Sequence, residues 1–129
     1  MSDAPHPEVH HLEAQRRSKR DAVAALGVNP YGVRTPGLIS CAAAKAVHSP
    51  EADAAHAAAG KNPPAGYVDT RPRASVAGRV VLHRDNGKLI WMNIRDETGD
   101  LQLAVSQRDV NATSFELAKL TDLGDVVVA

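Results

Sequence analysis

Three short runs in which apolar and polar residues alternate, Ser75 to His83, Lys88 to Arg95 and Leu101 to Ser106, follow one another with almost nothing between them. No other feature of the chain restricts its fold as much. Alternation with a period of two gives a strand one face to bury and one to leave open. The connections Asp85-Asn86-Gly87 and Glu97-Thr98-Gly99-Asp100 carry the residues that tight turns require. Connections this short join antiparallel neighbours, so the runs are expected to form a meander. A helix is expected from about Thr113 to Leu120, with Phe115, Leu117 and Leu120 as its apolar side, and Gly124-Asp125 then leads into Val126-Val127-Val128, a fourth strand.

Three meandering strands, a helix and a further strand are the order of the OB-fold, a five-stranded, partly open barrel whose second and third strands face oligonucleotides. The expected fold class is therefore mainly β, an OB-fold with a helical N-terminal extension. Its fifth strand is missing from the sequence. A barrel without that strand leaves backbone edges unpaired and its core incompletely covered. Ala129 also falls inside an apolar run with no turn, cap or charged tail to stop it. The chain is expected to be a fragment of a longer protein, with an OB-fold lacking its last strand.

The remaining residues offer little to build a second core from. The chain has 129 residues and 43% of them are hydrophobic, but only 3% are aromatic, and much of the apolar count is alanine. Residues 1–34 are expected to hold a basic helix and linker. The helix runs from about Glu8 to Leu26 and is ended by Gly27, with Pro30 just beyond. Its apolar positions Leu12, Val23 and Leu26 are sparse, while Arg16, Arg17, Lys19 and Arg20 cluster in its middle, as either a solvated face or a phosphate-contacting one. Residues 35–73 form an alanine- and proline-rich connector with short helices. Ser49-Pro50-Glu51 reads as an N-cap, a first-turn proline and a first-turn acid for a helix over Glu51 to Ala59, closed by Gly60. Pro63, Pro64, Gly66 and Pro72 then interrupt the chain. Alanine supplies helix propensity but buries little surface, so this stretch should be mobile unless it docks on something. Residues 74–129 are the barrel.

Charge and cysteine content exclude several classes of function. Lysines and arginines number 15 against 15 acids, so no overall positive field draws nucleic acid, and any such binding must come from local patches. The single cysteine, Cys41, excludes an internal disulfide and a zinc-binding cysteine pair, and is expected to be a small buried residue. The start, MSDAPHPEVHHLEAQRRSKR, has no signal-peptide apolar stretch, and no run approaches the roughly 20 residues that span a bilayer, so the cytoplasm is the expected compartment and no membrane a partner. Asn111-Ala112-Thr113 matches a glycosylation sequon, but reads better as a loop entering a helix. No nucleophile–base pair, phosphate-binding glycine loop or metal cluster is legible, and Asp96, Glu97 and Asp100 read as turn residues.

The one tryptophan falls on the wrong phase for a core. Ile90, Met92 and Ile94 share the buried face of the second run, which turns Trp91 outward beside Asn93. In the first run Val76, Gly78, Val80 and Leu82 share one phase, leaving Ala77, Arg79, Val81 and His83 on the other. In the third run Leu101, Leu103 and Val105 point inward and Gln102 outward. An indole flanked by an amide, an arginine and a histidine is a surface on which a base can stack while its polar edge is read. The alternative is an exposed aromatic that covers a helix or a neighbouring subunit.

At these residues a resemblance enters. VAGRVVLHRDNGKLIWMNIRDETGDLQLAV resembles the anticodon-binding OB domain of the class II aminoacyl-tRNA synthetases for lysine, aspartate and asparagine. Shared landmarks are a V-x-G-R-V opening, an R-D-x-G turn, a second strand ending in R-D, and x-G-x-x-Q, and the resemblance covers residues 74 to 129. EAQRRSKRDAVAALGVNPYGVR is similar to the opening helix of the lysyl members. Gly32 stands where proline is common there, and no phenylalanine follows Arg34. The resemblance implies that the middle anticodon base, a uridine, stacks on Trp91, where phenylalanine is usual, and is hydrogen-bonded by Arg84 and Gln102. Arg84 is out of phase with Arg79, so reaching the base would require a bulge or the strand's end to turn it. Arg16, Arg17, Lys19 and Arg20, with Arg79, His83 and Lys88, become candidates for the tRNA backbone. The resemblance further implies a homodimeric full-length lysyl-tRNA synthetase that uses ATP and magnesium. Its catalytic domain would lie outside this chain, so the chain itself would carry no cofactor and no activity. An aspartyl- or asparaginyl-type domain, a stand-alone single-strand-binding OB module and a protein-docking domain remain as alternatives.

Overall fold

The computed structural model describes residues 10–129. The expected helix start at Glu8 lies outside them. Helix α1 spans His11–Ala25, where the His10 side chain accepts from the Leu12 N–H at 3.3 Å, and Gly27, at φ 80°, takes the left-handed conformation just past the end. No residue of α1 is buried, and Leu12 stands 54% exposed. Two short helices follow, α2 over Cys41–Ala46 and α3 over Pro50–Ala59. Both start on a serine: Ser40 Oγ accepts from the Ala43 N–H at 3.1 Å and Ser49 Oγ from the Ala52 N–H at 3.2 Å.

The β strands are β1, Ala77–Asp85; β2, Leu89–Asp96; β3, Gly99–Ser106; and β4, Val126–Val128, with helix α4, Ala112–Leu120, between the last two. They form one antiparallel sheet in the order β3-β2-β1-β4. In the β1–β2 turn Asp85 Oδ1 accepts from the Gly87 N–H at 2.8 Å, and Gly87 sits at φ 84°, where a side chain is disfavoured. The Asn111 side chain caps α4 by accepting from the Ser114 N–H at 2.8 Å, so the sequon asparagine is indeed a helix entrance.

The core lies on the inner side of this sheet. Val76, Val80, Ile90, Met92 and Ile94 meet Phe115 and Ala118 of α4, with Leu101, Leu103 and Val105 packed against them. Cys41 joins the same cluster, fully buried, because the connector docks rather than swinging free. The Ile39 N–H bonds to the Ser75 carbonyl at 2.9 Å, and the Cys41 and Ala42 N–H groups of α2 bond to Asp96 Oδ2 at 2.8 Å and Thr98 Oγ1 at 3.0 Å.

One phase expectation fails. The β1–β2 register runs Val80 opposite Ile94 and then Leu82 opposite Asn93, so Val81 is an extra residue, a β-bulge. Beyond it every side chain changes face. Leu82, expected inward, stands outward and 41% exposed, whereas His83, expected outward, turns inward opposite Met92 with its Nε2 2.9 Å from the Ala118 carbonyl.

Candidate nucleic-acid interface

The register sets three rows of side chains across the outer face of the sheet. Arg84, Trp91 and Ala104 form the first; Leu82, Asn93 and Gln102 the second; Arg79, Arg95 and Asp100 the third. Trp91 is half-buried while its neighbours Ile90 and Met92 are sealed at 0% and 3% exposure, as alternation demands. Ala104, directly across on β3, is exposed and too short to cover the indole, so the ring stays open on that side. Arg84, also exposed, lies directly across on β1, close enough for side chains to touch. The bulge at Val81 puts it there; regular pairing would have sent it to the inner face. Gln102, exposed, is the diagonal neighbour of Trp91, about 7–8 Å away by sheet geometry and within reach of one bound base.

The third row is charged. Arg95 holds Asp100 through Nε–Oδ1 at 2.6 Å and a guanidinium N–Oδ2 bond at 3.0 Å, and that guanidinium keeps the Asp100 carboxyl below the usual carboxylate range. Arg79 faces Arg95 across the strands and is exposed. Lys88 stands at the tip of the β1–β2 hairpin, three residues before Trp91. His83 is not on this face: its ring is engaged beneath α4. Asn93, which the sequence places beside Trp91 without giving it a task, occupies the centre of the three rows. Its only signal in the sequence is the shared phase with Trp91.

The cations of α1 stand elsewhere. Arg17 pairs with Glu13 one turn back, Lys19 with Asp122 after α4, and Arg20 with Asp21 at 3.3 Å; Arg16 is exposed. With Tyr31, Arg34 and Val126, the side chains of Arg16, Lys19 and Arg20 line an open groove of about 880 Å³ between α1, the loop after it, α4 and β4, a groove that draws no residue from β2 or β3. The structure brings Trp91, Arg84 and Gln102 together and does not bring the α1 cluster to them.

An antiparallel sheet in the order β3-β2-β1-β4 with α4 before its last strand is the arrangement of an OB-fold, here with an open aromatic, a guanidinium and amides on its outer face. Residues 74–129 match the tRNA anti-codon family, an OB-fold nucleic acid binding domain. Over nearly its whole length the chain is similar to lysine–tRNA ligases. It is 32% identical over 120 residues to that of Dehalococcoides mccartyi, covering 92% of this chain and 22% of the relative. It is 33% identical over 129 residues to that of Anaeromyxobacter dehalogenans, covering 100% and 23%. With the Streptococcus suis enzyme the identity is 28% over 127 residues, covering 98% and 23%. The chain thus spans under a quarter of the length of these curated relatives. Among the described residues no helix is long and apolar enough to cross a membrane.

Proposed function

We propose that this chain reads the anticodon loop of lysine tRNA as the recognition part of a lysine–tRNA ligase. The observation that carries this reading is the half-buried Trp91 on the outer face, with Arg84 directly opposite and Gln102 on the diagonal. The unpaired central uridine of the anticodon stacks on the indole. Uracil offers two carbonyl acceptors and one N–H. The Arg84 guanidinium supplies donors only, and the Gln102 amide both donates and accepts, so together they match that edge. Arg79 and Lys88 add phosphate contacts that strengthen binding without choosing sequence, and the exposed α1 cations serve a more distant part of the same RNA. The fit of the chain to lysine–tRNA ligases along both the α1 segment and the barrel supports the lysine assignment over the aspartyl and asparaginyl alternatives.

The chemical work of such a ligase, joining lysine to tRNA with ATP and magnesium, belongs to residues beyond those described. Among the described residues no group of three or more His, Cys, Asp or Glu side chains is placed to hold a metal ion. What this chain contributes is selectivity, by binding far from the reacting atoms.

Filter binding of the full chain to a lysine-tRNA anticodon hairpin tests this. The hairpin should bind better than one whose central uridine is replaced, and Trp91→Ala should weaken it by about 1–3 kcal/mol, the contribution of one stacked base, and erase the preference. Equal affinity for both hairpins would point to an unselective single-strand binder, and no affinity for either to a protein-docking face.

A further inference from the structure

Asn93 is an unusual occupant of its position. Asparagine is depleted in strands, yet this one sits mid-strand on β2, between Leu82 of β1 and Gln102 of β3. Its Oδ1 is buried and meets no donor, and it makes no hydrogen bond with Gln102 across the strands. A carbonyl so placed costs stability, and a side chain kept only for the fold would be satisfied or replaced by an apolar one. The side chain shares the outer face with Trp91, and of its two polar atoms only Oδ1 is sealed without a partner, which leaves Nδ2, a pure donor, to that face. Trp91 is two residues away on the same face, about 6–7 Å along the strand, so a base lying on the indole brings its edge over Asn93. Leu82, apolar, flanks the amide and lowers the local dielectric, which strengthens a hydrogen bond made there.

We infer that Asn93 is a specificity-determining residue of the base site: its Nδ2 donates to O4 of the stacked uracil and disfavours cytosine, which carries an amino group there. This rests on the reading of Trp91 as the stacking platform, and the two can fail separately.

The test compares anticodon hairpins with uridine or cytidine at the central position, bound to the full chain. Asn93→Asp replaces the donor by an acceptor of the same shape, suited to the cytosine amino group. The ratio of uridine to cytidine affinity should fall about tenfold or more. The ratio is the readout because the added negative charge weakens both hairpins alike. Asn93→Val removes donor and orphaned acceptor together; it should lower the ratio as well while leaving the thermal midpoint unchanged or higher, which a residue serving only the fold would not do. If circular dichroism finds the aspartate variant unfolded, the valine variant decides. An unchanged ratio in the folded variants, with Trp91→Ala still losing affinity, overturns the role of Asn93 and leaves the platform standing. If Trp91→Ala changes nothing, the platform fails and the inference with it.

Discussion

At Gly78 the chain has no room for a side chain. This glycine is buried on β1 where β1 passes from pairing with β4 to pairing with β2. A Cβ built there would lie 3.0 Å from the Arg95 carbonyl oxygen, 3.1 Å from its nitrogen and 3.1 Å from Ile94 Cβ. Two of those atoms are backbone of the partner strand and cannot swing aside, so glycine here marks a close strand approach rather than a turn. Gly78→Ala should destabilise the protein by about 1–3 kcal/mol, the range for overpacking a tight site, measured as a lower urea midpoint at unchanged slope. At the same scale, period-two reading assigns Trp91, Asn93 and Gln102 to the open face and Ile90, Met92 and Ile94 to the core, and the structure agrees. The same reading misplaces Leu82 and His83. Val80-Val81-Leu82 carries no mark of which residue is extra, because three apolar residues in a row fit either phase. Only the pairing with β2 selects Val81 as the bulge, and thereby sets Arg84 opposite Trp91.

Among the elements, α2 departs furthest from what its composition suggests. Six residues of mostly alanine do not make a stable helix alone. Yet its first amides are satisfied by Ser40 and by Asp96 and Thr98, the latter in the turn between β2 and β3. Asp96 also accepts from Thr98 Oγ1 at 2.6 Å and from the Thr98 N–H at 2.8 Å. The Thr98 hydroxyl first, and then the Cys41 N–H, hold its carboxyl well below the usual value of 3.8. A carboxylate whose acidity rises on folding stabilises the native state fully above its unfolded value, and that stabilisation is lost as pH falls through the unfolded value toward the lower folded one. Asp96→Asn should therefore melt earlier than the parent at neutral pH, and the gap between the two should close when the thermal midpoint is followed by circular dichroism from about pH 6 to about pH 2. A constant gap would assign the acid sensitivity to other carboxylates, such as Asp100. Sequence alone reads Ser49 and Pro50 as a helix start, a local signal, but cannot see that an acid 55 residues away receives α2.

Across the whole molecule, attachment to the barrel does not follow helix length. The 15-residue α1 has no buried residue and is held by contacts with α4 and the partly exposed Lys19–Asp122 pair, a kind of interaction worth at most about 1 kcal/mol. Short α2 instead sends Cys41 into the core. Hydrogen exchange followed by mass spectrometry should find α1 amides exchanging well before those of α2 and of strands β1 to β3. Lys19→Ala should speed α1 further and leave the sheet unchanged; equal protection of α1 and the sheet would refute this ranking. The sequence by itself determined the meander, the Ser49 start of α3, the glycine ends of α1 and α3 and the outward tryptophan, because alternation, turn chemistry and capping act between residues a few positions apart. Only the tertiary structure decided the bulge at Val81, the turning of His83 beneath α4, the docking of α2 on the β2–β3 turn, and the separation of the α1 cations from the Trp91 face. Each of those depends on which distant backbone groups find partners once the sheet curls, and that choice is made by pairing and burial across the fold.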